Sequence, residues 1–311
     1  MTDNRTILEL KGIHKEFGDL VALKEVDLSI CKGEFFGLLG PNGAGKSTLM
    51  KILSGFIESD SGEVLIDGQT VGLHDMAARR RCGLVPQEIA LYESLNSLEN
   101  LRIFARLYKL PHKQAEARSE ELLKSVGLWE RRNDRVKEFS GGMKRRLNII
   151  VSLLHNPDIL LCDEPTVGVD PQSRNAIFDF LEARNREGLT VLYTTHYMEE
   201  AERLCPRIAI IDHGDILACG EQKELLRKAD FEREIVIRKG PDQESFLAGL
   251  KQHGELMEDE LVYRLMPSSK SRLSEIYSAL ESAGLPYEIL DVRPPSLESL
   301  FLKLTGHRLR D

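Results

Sequence analysis

No segment of this 311-residue chain approaches the ~20 consecutive apolar residues that cross a bilayer. The longest apolar stretches, such as residues 149–154, fall far short of that length. The opening residues Met1, Thr2, Asp3, Asn4 and Arg5 contain no apolar signal region. Cysteine is scarce: five residues at 31, 82, 162, 205 and 219, odd in number and without metal-binding spacing. That usage suits a reducing cytosol and excludes a disulfide scaffold. The net charge of −8 gives no electrostatic reason to bind nucleic acid. A cytosolic protein, not a pore, is expected, and 311 residues call for two domains.

What is present is concentrated in a few short motifs. Gly40-Pro41-Asn42-Gly43-Ala44-Gly45-Lys46-Ser47 matches G-x-x-x-x-G-K-[ST] completely. The apolar run 35–39 precedes it and a helix-like segment beginning at Thr48 follows it, the strand–turn–helix context that a phosphate-cradling loop needs. Glycines let successive N–H groups point at a phosphate, and the helix N-terminus adds partial positive charge. Lys46 would reach the β- and γ-phosphates, and the Ser47 hydroxyl would ligate Mg²⁺. A bound nucleoside triphosphate is the direct implication.

A second motif supplies carboxylates. Ile159-Leu160-Leu161-Cys162 reads as a strand buried on both faces, ending in Asp163-Glu164-Pro165. Ligands gather at the carboxyl ends of such parallel strands. Asp163 is placed to hold Mg²⁺ through water and Glu164 to polarise the attacking water, a division of labour that suits phosphoryl transfer. Upstream, Phe139-Ser140-Gly141-Gly142-Met143 opens a helix, where a hydroxyl and two glycine N–H groups make an anion site. The cluster Lys144-Arg145-Arg146 that follows suits phosphate or a solvated face.

On these motifs the chain resembles the ATP-binding subunits of ABC transporters, over roughly residues 5–225. The resemblance implies that Ser140, Gly141 and Gly142 cap the γ-phosphate held by the opposite copy in a head-to-tail dimer. It also gives roles to four single residues. Phe17 would stack on adenine, Gln87 would sense Mg²⁺ and the attacking water, Asp170 would cross the dimer interface, and His196 would contact the γ-phosphate. Phe139 and Met143 depart from the family's usual Leu and Gln, so any polar role of that Gln is absent. The nucleotide set is then Phe17, Gly40, Pro41, Asn42, Gly43, Ala44, Gly45, Lys46, Ser47, Thr48, Gln87, Ser140, Gly141, Gly142, Asp163, Asp170 and His196. Within it Ser47, Gln87 and Asp163 attend the metal, and Glu164, His196, Gln87 and Lys46 the chemistry; the cofactors are ATP and Mg²⁺.

Periodicity orders the rest. Residues 6–30 read as an antiparallel strand pair around Phe17, and 90–137 as helical through Leu98, Leu101, Phe104, Ala105, Leu122, Leu123 and Val126. Residues 208–212 and 215–218 pair across His213-Gly214, and a helix over 222–228 closes the first domain. The remainder reads strand (234–238), helix (243–252), two strands around Asp259-Glu260, helix (270–283) and strand (287–292), a βαββαβ order. It contains no phosphate loop, metal cluster or carboxylate pair, which points to a regulatory or packing module. After Pro294-Pro295, Ser296 can cap a last helix whose Leu297, Leu300, Phe301 and Leu304 form one stripe. This segment, through Gly306, resembles the tail of ATPases serving ABC-2 type exporters, the daunorubicin-resistance group.

The expected fold is therefore α/β, a P-loop NTPase of ABC ATPase type with a helical subdomain over about residues 88–140. A small C-terminal α+β, ferredoxin-like domain follows, the boundaries being 1–228 and 229–311. The resemblance implies an ATPase that powers export through a separate ABC-2 type membrane subunit, paired with a second copy or a close paralogue. It would sit in the cytoplasm, held on the inner face of the membrane by that partner. The alternative is an ABC ATPase acting in translation, cofactor assembly or DNA maintenance. Translation types usually carry two cassettes and DNA-repair types a long coiled-coil insertion, and neither feature is here.

Overall fold

Alternating apolar and polar residues over Thr6–Phe17 (β1) and Leu20–Cys31 (β2) form two long antiparallel strands that place Leu8, Leu10, Ile13, Leu23, Val26 and Ile30 in the core. This computed structural model describes residues 5–73, 75–228, 233–240, 243–258, 260–267 and 271–305. Met1, Thr2, Asp3, Asn4, Asp259, Lys270 and Gly306, used above, lie outside the described residues. Contacts divide the chain into two units, Met1–Cys219 and Gly220–Leu309.

In the first unit Phe35–Leu39 (β3) leads through the glycine loop to Lys46–Ser54 (α1). Ser61–Ile66 (β4) and Gln69–Thr70 (β5) complete a four-stranded antiparallel sheet in the order β2-β1-β4-β5. After the short Met76–Arg79 (α2) comes Cys82–Val85 (β6). A helical stretch follows: Ser97–Leu107 (α3), His112–Ser125 (α4) and Gly141–Val151 (α5), joined by short 3-10 turns. Asn96 and Glu99 close α3 with reciprocal side-chain bonds to the backbone.

The chain then alternates: Ile159–Asp163 (β7), Pro171–Arg186 (α6), Thr190–Thr195 (β8), Met198–Leu204 (α7), Arg207–Asp212 (β9) and Asp215–Glu221 (β10). The second sheet has the order β10-β9-β3-β8-β7-β6, parallel from β9 to β6. Every residue of β3, β7 and β8 is buried, the pattern of parallel strands covered on both faces. Leu49, Met50 and Leu53 of α1 pack with Phe36, Leu38, Ile159, Leu161 and Leu192 in one core cluster. That clamp fixes the phosphate loop between two buried elements.

The second unit is a split βαβ arrangement. Gln222–Lys228 (α8) precedes Glu234–Arg238 (β11), Glu244–Leu250 (α9), Gly254–Glu258 (β12), Val262–Pro267 (β13), Leu273–Ser282 (α10) and Leu290–Arg293 (β14). All pairings are antiparallel in the order β12-β13-β11-β14, the ferredoxin-like topology that the βαββαβ reading implies. Ile235, Ile237, Phe246, Leu250, Leu265, Ile276 and Leu280 form its core.

Leu297–Thr305 (α11) ends the described chain, with the Ser296 hydroxyl accepting the Ser299 N–H at 3.2 Å as an N-cap should. Its buried residues are Leu297, Ser299, Leu300, Phe301 and Leu302, while Leu304 is exposed. The stripe expected through Leu304 is corrected accordingly: Leu302 takes that place as the helix turns its wider face inward. Glu298 anchors the helix to the sheet, 3.1 Å from the buried Arg264 of β13. α8 packs against α11 inside this unit, although the sequence reading assigned it to the first domain.

Candidate active site

Strand register brings the motifs together. Leu39 at the end of β3 is opposite Thr195, and Asp163 at the end of β7 is opposite Thr194. The phosphate loop, the carboxylates and His196 therefore leave the carboxyl edge of three neighbouring strands, each about 5 Å from the next.

The loop is built for close approach. Gly45 sits at φ 108°, and a Cβ there would lie 2.6 Å from the Ala22 carbonyl oxygen, so only glycine fits. The helix that follows has no side-chain N-cap and no acid in its first turn. Its orphan N–H groups and positive end are left for an anion. Gly40 and Pro41 contribute carbonyls instead: the Lys46 ammonium donates to them at 2.7 and 2.8 Å and lies 3.1 Å from Glu164 Oε1. Ala44 is buried and its carbonyl accepts the Gly214 N–H at 3.0 Å, tying the loop to the β9–β10 turn.

Glu164 is the centre of the constellation. Its Oε2 lies 3.2 Å from His196 Nδ1 and accepts from Gln87 Nε2 at 3.2 Å. Its backbone sits at φ 44°, a left-handed conformation that costs a non-glycine residue about 1–3 kcal/mol. The Thr194 hydroxyl helps to hold it there by accepting the Glu164 N–H at 3.0 Å. The same hydroxyl donates to Asp163 Oδ1 at 2.9 Å, and Ser47 Oγ donates to that oxygen at 3.2 Å. Burial raises the Asp163 pKa, against the pull of the Thr194 and Ser47 hydroxyls. A divalent cation here would reverse that balance. Two hard oxygen donors in contact suit Mg²⁺, which keeps waters and takes phosphate oxygens as its remaining ligands. Among the described residues no group of three or more His, Cys, Asp or Glu side chains could hold a metal on its own.

A cleft of about 570 Å³ opens over these groups, lined by Phe17, Asn42, Gly43, Gly45, Lys46, Ser47, Thr48, Gln87 and Glu164. Phe17 is half exposed, with the Lys15 ammonium 5.4 Å from the centre of its ring. Asp163 faces an adjoining hollow of about 390 Å³ that shares Ser47 and Gln87 with the cleft. The sequence reading missed His213, which lines the cleft from the β9–β10 turn, and Thr194, whose position in an apolar strand gave no sign of its bonds to Asp163 and Glu164.

Ser140, Gly141, Gly142 and Asp170 do not line the cleft. They form a second patch where α5 and α6 begin. Ser140 caps α5 through the Met143 N–H, and Asp170 caps α6 through the Ser173 N–H. That bond, with the Ser173 side chain, holds the Asp170 carboxyl below its ordinary pKa. A Cβ at Gly142 would lie 2.1 Å from Ser173 Oγ and 3.4 Å from Asp170 Oδ2, so the glycine lets the two helix starts touch. The basic cluster beside it is committed elsewhere, neither to phosphate nor to solvent alone. Lys144 pairs with Glu93, Arg146 donates to the Val126 carbonyl, and the buried Arg145 donates to the carbonyls of Pro86 and Gln87. Arg145 thus steadies the loop that carries Gln87.

Residues 23–167 match the family model described as ABC transporter. The linearmycin resistance ATP-binding protein of Bacillus subtilis is 42% identical over 98% of this chain and 100% of its own length. The daunorubicin resistance ATP-binding protein of Streptomyces coeruleorubidus is 37% identical over 97% and 96% of the two chains. The Nod factor export ATP-binding protein of Cupriavidus pinatubonensis is also 37% identical, over 98% and 92%. Among solved structures, a dimeric ATP-binding cassette with ADP and phosphate bound is 32% identical with a TM-score of 0.63, covering 69% of this chain and 98% of that one. No described helix is long and apolar enough to cross a membrane. From the aligned strand ends to these full-length relatives, the chain belongs to the ABC transporter family, as an ATP-binding subunit of its resistance and export group.

Proposed function

We propose that this chain hydrolyses ATP in a head-to-tail pair, with a second copy or a close paralogue, and drives export through a separate ABC-2 type membrane subunit. One observation carries the reading. The chain holds a cleft with Lys46, Ser47 and Glu164, and a second patch, the capped starts of α5 and α6 with Ser140, Gly141, Gly142 and Asp170, that stands outside it. Two complementary half-sites on one chain are what head-to-tail pairing completes. The resistance and export names of the relatives favour transport over translation, cofactor assembly or DNA maintenance.

In this reading the loop N–H groups and Lys46 hold the phosphates, and Phe17 holds the base. Glu164 orients and polarises the attacking water, with Gln87 and His196 fixing its carboxylate. Ser47, Asp163 and Gln87 would hold Mg²⁺, which supplies charge neutralisation at the β- and γ-phosphate oxygens. The partner copy's patch closes over the γ-phosphate. The chain works at the cytoplasmic face, attached through its membrane subunit.

Lys46→Ala tests the phosphate assignment. It removes a charge-assisted contact and leaves Glu164 facing the phosphates, so ATP should bind about 10–100-fold more weakly by calorimetric titration. Unchanged affinity would take Lys46 out of the site. Coexpressed with its membrane subunit, the wild-type chain should be recovered with membranes and show ATPase activity that responds to that subunit. Recovery with ribosomes or DNA instead would overturn export.

A further inference from the structure

Behind the site lies a buried carboxylate to which the mechanism above gives no part. Glu200, in the first turn of α7, is 2% exposed. Its Oε1 accepts from Thr166 Oγ1 at 2.6 Å, and its Oε2 accepts from Tyr193 Oη at 2.9 Å and Thr195 Oγ1 at 2.8 Å. Thr166 Oγ1 and Tyr193 Oη are also 3.2 Å apart, and all three partners are essentially inaccessible to solvent. Arg174 of α6 completes the cluster, its Nε 3.7 Å from Glu200 Oε1 and its guanidinium over the Tyr197 ring.

The partners of Glu200 sit next to the reacting groups. Thr166 is two residues beyond Glu164, and Thr195 immediately precedes His196. Thr195 Oγ1 also accepts the Tyr197 N–H at 2.9 Å, so one hydroxyl braces the backbone on both sides of His196. Side chains alternate along β8. Thr194 turns to Asp163 and Glu164, while Tyr193 and Thr195 turn to Glu200. Arg174 stands one helical turn after Asp170, the residue of the second patch. One carboxylate therefore ties together the turn after Glu164, the turn carrying His196 and the helix that begins at the patch. A buried carboxylate loses solvation and persists where several donors hold it. Here the hydroxyl donors come from the turn after β7 and from β8, and the ion pair from α6, the pattern of a junction.

We propose that Glu200 is a positioning residue for hydrolysis, holding Glu164 and His196 in register with each other and with the α6 patch. It is buried and does not line the cleft. Its contribution lies in the geometry of Glu164 and His196, where displacement by about 1 Å can cost two orders of magnitude in rate.

The test compares Glu200→Ala, Glu200→Gln and Arg174→Ala in the full-length chain, well below each variant's unfolding temperature. Glu200→Ala should bind ATP at wild-type stoichiometry, with KM within about threefold and kcat at least about tenfold lower, the signature of an interaction that matters in the transition state. Glutamine has the same shape and can exchange hydrogen bonds with all three hydroxyls, so it should recover kcat to within about threefold of wild type. Arg174→Ala should lower kcat with unchanged KM, and less than additively when combined with Glu200→Ala. If the alanine variant does not fold, the glutamine and Arg174 variants still decide. The proposal is overturned if Glu200→Ala keeps kcat within about threefold. A kcat that falls only in step with the folded fraction, or additive Arg174 and Glu200 effects, would overturn it equally.

Discussion

Glu164→Gln should retain ATP binding and lose turnover by a factor of about 10² or more, since a positioned base commonly contributes 10²–10⁴. The amide keeps the shape of the side chain and its reach toward His196 and Gln87, each 3.2 Å away. What it loses is the negative charge that, in the proposed mechanism, polarises the attacking water. That charge also lies 3.1 Å from the Lys46 ammonium, so neutralising it frees Lys46 for phosphate and should tighten ATP binding. An ATP-dependent dimer should then accumulate, visible by light scattering as a doubling of mass that ADP does not support. Turnover close to wild type in the purified variant would remove Glu164 from its assigned role.

Ser140→Arg should abolish hydrolysis while sparing the fold and the binding of ATP to a single copy. Ser140 is exposed at the start of α5, so a larger side chain meets no packed neighbour. The loss of its bond to the Met143 N–H costs about 0.5–2 kcal/mol, as for other N-caps. Ser140 does not line the cleft of its own chain, so a loss of hydrolysis with fold and nucleotide affinity unchanged points to the pair. The expected result is wild-type nucleotide affinity by titration, no dimer with ATP and no measurable ATPase. An unchanged rate would refute the shared site and require one copy to act alone.

Much of this was legible in the sequence, for identifiable reasons. The phosphate loop and the Asp163-Glu164 pair announce themselves because glycine and acid are demanded at fixed positions beside an apolar strand. The second unit's strand and helix order followed from alternation and turn residues, and its topology from the few ways such an order can pair. Three things stayed hidden. Thr194, Tyr193 and Thr195 read as strand-formers because hydroxyl bonding across a sheet leaves no trace in periodicity. Arg145 read as one of a basic run because nothing local tells a buried guanidinium from a solvated one; its partners, the carbonyls of Pro86 and Gln87, come from a distant loop. Leu304 belongs to the helical stripe by spacing but falls at the last turn of α11, where burial ends.

The left-handed corner at Glu164 has an evolutionary consequence. Backbone preference there favours Gly, Asn or Asp, the residues that tolerate φ near +50°, whereas chemistry asks for the longer acid. The two demands conflict, and selection for turnover is what holds glutamate there. In a mixed pair of paralogues, a copy kept for binding alone is free to drift toward the locally comfortable residues. The identity of this one position then serves as a marker, readable from sequence, of which half of an asymmetric exporter still fires.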